Sequence, residues 1–236
     1  MALGADPLPP PEHKAAHVRA MFDRIAPRYD RLNAVLTWGL DRGWRRRALA
    51  AAAVRRGATS GRRRLRTGDL RRARAAVSGA RSVGATFQLA CWPAPAPAAC
   101  AALVRGDAAR LPLATGVAAA VTCGFALRNF AAIPPVLAEA ARVLRPGGRL
   151  VVLEVATPPH ALPRLVHRLY FDRLVPWIGA LLAERAAYAY LPRSAAYLPP
   201  PPTLRHLVRD AGFVGVTVES LGFGAVQLLR AVRADA

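Results

Sequence analysis

Lysine is nearly missing from this chain: of its 34 basic residues only Lys14 is not an arginine. Methionine is down to two residues, and acids are outnumbered 34 to 14. Arginine used throughout in place of lysine reads as the imprint of a GC-rich gene rather than as a functional choice. The formal charge of +20 raises nucleic acid or an anionic membrane as partner. Residues 42–81 hold fourteen arginines and one acid, Asp69, so about 13 of the 20 excess charges come from one window. No aromatic ladder or recognition-helix pattern accompanies them, and no nucleic-acid partner is expected. Cysteine is scarce as well. Cys91, Cys100 and Cys123 are an odd set without CxxC spacing, which argues against a disulfide framework and against a metal site. The N-terminus lacks a basic-then-apolar leader. The longest charge-free apolar run in the second half, residues 174–183, is too short to span a bilayer. A cytoplasmic protein is expected, and 236 residues, 53% of them apolar, suffice for one α/β domain.

What is present is clearest over residues 103–154. An apolar run ends at Asp107, a loop follows, and a second run covers 117–123. Both this run and 150–153 are short, apolar and unalternating, as strands buried on both faces of a parallel sheet are. Between them Ile133, Val136, Leu137, Ala140, Ala141 and Leu144 recur at helical spacing. Pro146-Gly147-Gly148 is expected to stop that helix, a glycine supplying the left-handed cap. The pattern is a β-α-β unit. Parallel sheets bind ligands at the carboxyl ends of their strands, so Asp107, Cys123, Gly124 and Glu154 should lie along one functional edge.

These residues carry a resemblance. Residues 142–156, RVLRPGGRLVVLEVA, look like one signature of the ubiquinone/menaquinone C-methyltransferases. Tyr29-Asp30-Arg31-Leu32-Asn33 with Trp44 downstream resembles a second signature, and the GFALRN run from Gly124 to Asn129 a third. The similarity runs from about Val18 to Arg230. It implies a Rossmann-like, mostly parallel seven-stranded sheet with helices on both faces and a C-terminal antiparallel hairpin. The implied cofactor is S-adenosylmethionine and the implied substrate a prenylated quinol, methylated on a ring carbon. It further implies that residues 18–56 form a helical lid, with Tyr29 and Asp30 near cofactor or quinol; packing is the competing role for Tyr29 and Trp44. Gly124 would lie near the methyl-transfer centre. Asp107 and Ala108 would contact the adenine, or Asp107 would simply cap its own turn. Arg128 is the candidate cation for a ring phenolate and Tyr29 and Asp30 are weaker candidates for moving the proton. Alternatively Arg128 and Asn129 bond to backbone at a helix start, with Asn129 as N-cap.

The first cofactor motif departs from the family. Thr67, Gly68, Asp69 and Leu70 match its glycine turn, but Arg62, Arg63 and Arg64 occupy the strand before it. An interior strand cannot readily bury three guanidinium groups, each costing several kcal/mol. Thr86 stands where the family places an acid for the ribose hydroxyls, keeping an acceptor oxygen but no charge. Three prolines in residues 88–100, Pro93, Pro95 and Pro97, forbid the helix that should follow. A local frame displacement, in the gene or in its sequencing and healed before Val104, is the expected origin of this stretch, with drift as the alternative. With suitable synonymous codons, the nucleotides of residues 85–93 read two places later encode an acidic strand end and a helix like the family's.

Residues 1–17, with Pro7, Pro9, Pro10 and Pro11, read as a mobile tail and 18–236 as one domain. Residues 156–200 form a helical insertion over the substrate pocket, apolar at Leu162, Leu165, Val166, Leu169 and Tyr170 and bordered by Arg164, His167, Arg168 and Arg173. A basic, apolar flap of this kind suits peripheral contact with a membrane surface, since a prenyl tail must leave the bilayer; His167 reads as a solvent-side residue. Residues 199–202 read as a rigid proline connector. Thr203 is expected to cap a helix through Asp210, closed by Gly212, and residues 214–219 and 225–232 to form the final strands. The competing reading of a different class is a relic of the family that no longer catalyses.

Overall fold

The computed structural model describes residues 13–14, 18, 20, 37–52, 107–170, 173 and 194–235, with backbone alone for 82–86 and 100–105. Strand β1 (Ser82–Thr86) runs parallel to β2 (Cys100–Arg105), Thr86 opposite Arg105. Helix α1 (Asp41–Ala52) precedes them. Strand β3 (Ala118–Gly124) is followed by α2 (Ile133–Val143), β4 (Leu144–Val155), α3 (Ala161–Leu169), α4 (Pro201–Asp210), β5 (Phe213–Leu221) and β6 (Val226–Arg233). The sheet order is β3-β4-β6-β5; β3 and β4 are parallel, and β6 is antiparallel to both of its neighbours. The described strands therefore make a mixed four-stranded sheet and a separate parallel pair, coarser than the expected mostly parallel seven. The C-terminal antiparallel hairpin is as expected.

Strand β4 explains why the sheet needs cover on both sides. Its side chains alternate, and Leu150 and Val152 face one layer while Val151 and Leu153 face the other. The first pair joins Leu137, Ala140 and Ala141 of α2, Leu204 and Val208 of α4, and Phe213 and Leu229. The second meets Ala48 and Ala52 of α1, with Ala120 and Leu228. Fully burying each of these leucines stabilises the fold by about 2 kcal/mol. Small alanines on α1 and α2 let the helices lie close to the strands.

Several boundaries differ from expectation. Helix α2 needs no glycine cap: it passes directly into β4 at Leu144, whose backbone is already extended. Pro146-Gly147-Gly148 instead forms an outward bulge, the register jumping from Ala118 opposite Leu144 to Ala120 opposite Arg149. Gly147 takes a φ of 68°, and a Cβ on Gly148 would sit 2.7 Å from the Arg145 carbonyl oxygen. Helix α4 begins at Pro201, not after Thr203, and has no side-chain cap; prolines in its first turn surrender N–H groups that would be unpaired anyway. Gly212 closes it at a φ of 86°. Lys14, assigned to the tail, is 4% exposed.

Candidate functional site

The carboxyl ends of the parallel strands gather the residues of interest. Gly124 ends β3 opposite Leu153, and the N–H of Phe125 donates to the Leu153 carbonyl at 2.7 Å, one pairing beyond the strand. Phe125 then takes a φ of 56°, turning the chain off the sheet. A single 3-10 turn, Leu127–Asn129, follows. Only Ala120 of the strand's seven residues is buried, short of the burial on both faces expected from its apolar run, and the bend directly after it presents backbone groups at the edge where a ligand of this fold class sits.

Arg128 lies within that turn, and the structure puts it indoors. Its exposure is 4%, and Glu154, at the end of β4, is 0% exposed. Its Nη1 donates to Glu154 Oε1 and, at 3.1 Å, to the Phe125 carbonyl, while its Nε donates to Ser194 Oγ at 3.1 Å. Its backbone N–H reaches Glu154 Oε2 at 3.3 Å, and the Val155 N–H donates to Oε1 at 2.9 Å. A buried charge pair survives only when its remaining donors and acceptors are used in this way. Arg128 is therefore not an unpaired cation waiting for a phenolate. Glu154 already balances it, and together they fasten the 125–129 turn to the sheet.

Cys123 is drawn into the same field. Burial, then the negative charge of Glu154, pushes its thiol up to about 12. It is a neutral side chain at any physiological pH. Asn129 is 6% exposed at the end of the 3-10 turn and does not cap α2, whose N-cap is Ala132. Gln227, opposite Glu154 in β6, donates through Nε2 to the Val155 carbonyl at 3.3 Å.

Asp107 follows β2 and is exposed. Its Oδ1 accepts the Ala109 N–H at 3.0 Å, so the turn-capping role is present. Thr86 ends β1, in register with the end of β2. Tyr29, Asp30, Thr67, Gly68 and Asp69 lie outside the described residues. The structure thus brings Gly124, Arg128 and Glu154 together, while Asp107 and Ala108 make their own turn. Glu154 was placed on this edge by sequence but given no role, and Ser194 drew no attention because nothing in the pattern around it signals a partner 66 positions away.

The rim of this edge is apolar. None of the nine residues of α3 is buried, and Leu162, Leu165, Val166 and Leu169 are each more than half exposed. Trp38 and Phe223 are 81% and 93% exposed. Phe223 stands at a φ of 55° in the turn Gly222–Gly224. That turn is fixed on both sides, because a Cβ on Gly222 would meet Trp44 at 2.8 Å and one on Gly224 would meet Pro158 at 2.9 Å. Among the described residues no helix is long and apolar enough to cross a membrane, and no group of three or more His, Cys, Asp or Glu could hold a metal ion.

A family model described as the ubiE/COQ5 methyltransferase family matches residues 11–86 and 98–233. The interruption falls inside the proline-rich stretch that the sequence marks as aberrant. The chain is 41% identical over 226 residues to a demethylmenaquinone methyltransferase of Roseiflexus sp. (strain RS-1), covering 94% of this chain and 95% of the relative. It is 44% identical over 213 residues to the protein of the same description from Deinococcus radiodurans, covering 86% and 87%. Among solved structures, an S-adenosylmethionine-dependent methyltransferase of Thermotoga maritima, described as a possible histamine N-methyltransferase, matches with a TM-score of 0.59. It is 19% identical, with 92% of this chain and all of that one covered, and the likeness speaks to the fold.

Proposed function

The chain belongs to the ubiE/COQ5 methyltransferase family, and from that membership we propose that it methylates a ring carbon of demethylmenaquinol, using S-adenosylmethionine as donor. The observation that carries the reading is the match itself, at 41% and 44% identity to relatives of one stated activity over nearly the whole chain. Nothing in the comparisons supports the relic. The parallel strand ends suit the cofactor: Thr86 and Asp107 close neighbouring strands, and the exposed Asp107 carboxylate can accept from an adenine amino or ribose hydroxyl. We assign Thr86, Asp107, Ala108 and Gly124 to holding it, with Thr67, Gly68 and Asp69 from the glycine turn. When bound, the cofactor supplies an electrophilic sulfonium methyl group.

The chain's own part is to orient the quinol ring and to handle its hydroxyl proton, since loss of that proton makes the adjacent carbon nucleophilic. Tyr29 and Asp30 are proposed for the proton. Cys123 is not suited to it, its thiol staying protonated up to about 12. Arg128 keeps the turn after Gly124 in place, and any phenolate it stabilises must share the guanidinium with Glu154. The exposed row on α3, flanked by Arg164, Arg168 and Arg173, is proposed to rest on the anionic membrane surface from which the prenylated substrate comes. Incubating the protein with reduced demethylmenaquinone and methyl-labelled cofactor tests the reading: labelled menaquinol is expected. No label in the quinone under reducing conditions, with the cofactor shown to bind, would overturn it.

A further inference from the structure

The sole lysine of the chain is buried on the outer side of the turn that carries Arg128. Lys14 donates from Nζ to the Phe130 carbonyl at 2.7 Å, and the same nitrogen lies 3.7 Å from the centroid of the Tyr197 ring. Phe130 ends the Leu127–Asn129 turn, and Tyr197 ends a second 3-10 turn, Ala195–Tyr197. Ser194, which receives Arg128 Nε, directly precedes that second turn. The two turns are thus joined twice, by Arg128 to Ser194 on one side and by Lys14 across Phe130 and Tyr197 on the other. Val18, four positions after Lys14, is 1% exposed.

We propose that Lys14 is a positioning residue: its ammonium ties its own segment of the chain to the two turns that hold Arg128, and so sets the geometry of the methyl-transfer edge. A positive charge over an aromatic face, also hydrogen-bonded to a carbonyl, is attractive when water is kept away, as it is at 4% exposure. Burial lowers the amine to about 8, which leaves most of it protonated at pH 7. Arginine, used at every other basic position, is bulkier and planar and cannot place one compact charge between a carbonyl and a ring. That difference gives the one surviving lysine a reason to be lysine.

The catalytic arm of the test rests on the proposed function; the structural arm does not. Native-state hydrogen exchange on the full chain should show that Lys14→Met speeds exchange at Phe130 and Leu198 together, by tenfold or more, while Leu229 and Leu153 in the sheet are unchanged. Unaltered exchange in either turn overturns the proposal, whether or not methyl transfer is detected. Because Lys14 is the only lysine, acylation by an amine-selective ester, read by peptide mass spectrometry, reports on it without changing it. Modification should be at least tenfold slower in the native than in the unfolded protein and should accelerate in Tyr197→Leu; equal native and unfolded rates would overturn the proposal. With methyl transfer measured in the wild type, Lys14→Met should lower kcat about tenfold or more with little change in KM for the cofactor, and Lys14→Met with Tyr197→Leu should cost no more than either alone. Full kcat in Lys14→Met, or additive losses in the double variant, would remove the positioning role.

Discussion

The two edges of the sheet carry the same pair of side chains and use them differently. At the carboxyl edge Arg128 and Glu154 have side chains 5% and 0% exposed, on two separate elements 26 positions apart. At the amino edge Arg142 and Glu139 pair three positions apart within α2, with side chains 36% and 11% exposed. Both arginines also fasten a loop. Arg142 donates to the carbonyls of Leu111 and Leu113 and to Thr115 Oγ1, and Glu139 accepts the Leu111 N–H, so residues 111–115 are stitched to the helix end. Water screens the second pair and not the first. The buried pair exists at a cost in desolvation that a purely structural fastening would not require, and it lies where the chemistry is expected.

The largest effect should come from breaking the buried pair. Glu154→Gln leaves the Arg128 charge without its counter-ion and is expected to destabilise the protein by about 3–5 kcal/mol, measured by denaturant unfolding. Removing both charges should sharpen the contrast. Arg128→Met with Glu154→Leu is expected to recover most of that stability and none of the methyl transfer, because packing replaces the charges but nothing replaces their hold on the turn. A Glu154→Gln variant as stable as the wild type would mean that the edge is wet and the comparison false.

A smaller effect concerns Cys123, the half-buried thiol next to Gly124 on the same edge. A thiol pushed up to about 12 by burial and by the neighbouring carboxylate has almost no thiolate at pH 8.5. Iodoacetamide should therefore leave the Cys123 peptide unlabelled in the native protein and label it on unfolding. Rapid native labelling would show the carboxyl edge open to solvent.

How much of this was legible in the sequence follows from the range of the interactions. The β-α-β unit was readable because its signals are local: the apolar run of β3, the stripe of Ile133, Leu137, Ala140 and Ala141, and Gly212 after α4 each act within a few residues. The proline-glycine-glycine bulge was misread as a helix cap because the same glycine conformation serves both, and only the cross-strand register distinguishes them. Helix α4 started early because a proline pair can open a helix as well as precede one. Within the candidate site, Gly124 and Glu154 fell on the expected edge, since strand polarity alone places them. The pairing of Arg128 with Glu154 and Ser194, and the burial of Lys14, depend on contacts 26, 66 and 116 positions apart, which no local pattern records.

The smallest effect is expected at the amino edge, and its dependence on conditions is what makes it informative. Hydrogen bonds from Arg142 hold Glu139 below its ordinary value of 4.5, helped by the Leu111 N–H and opposed by partial burial. A carboxyl with a lowered value in the folded state contributes stability that is fully present above 4.5 and disappears as the pH falls through the folded value. Glu139→Gln should therefore lower the melting temperature by about 2 °C or less at pH 7, in line with a pair whose arginine still reaches solvent. The gap should narrow in 1 M salt, where the Debye length shrinks to about 3 Å, and close altogether as the pH is taken well below 4.5. Glu154→Gln should respond to salt hardly at all, because the charges it separates are out of reach of ions. If the two variants lost stability equally and with the same salt dependence, the distinction between a screened fastening and a desolvated one would fail, and with it the reason for assigning the buried pair to the functional edge.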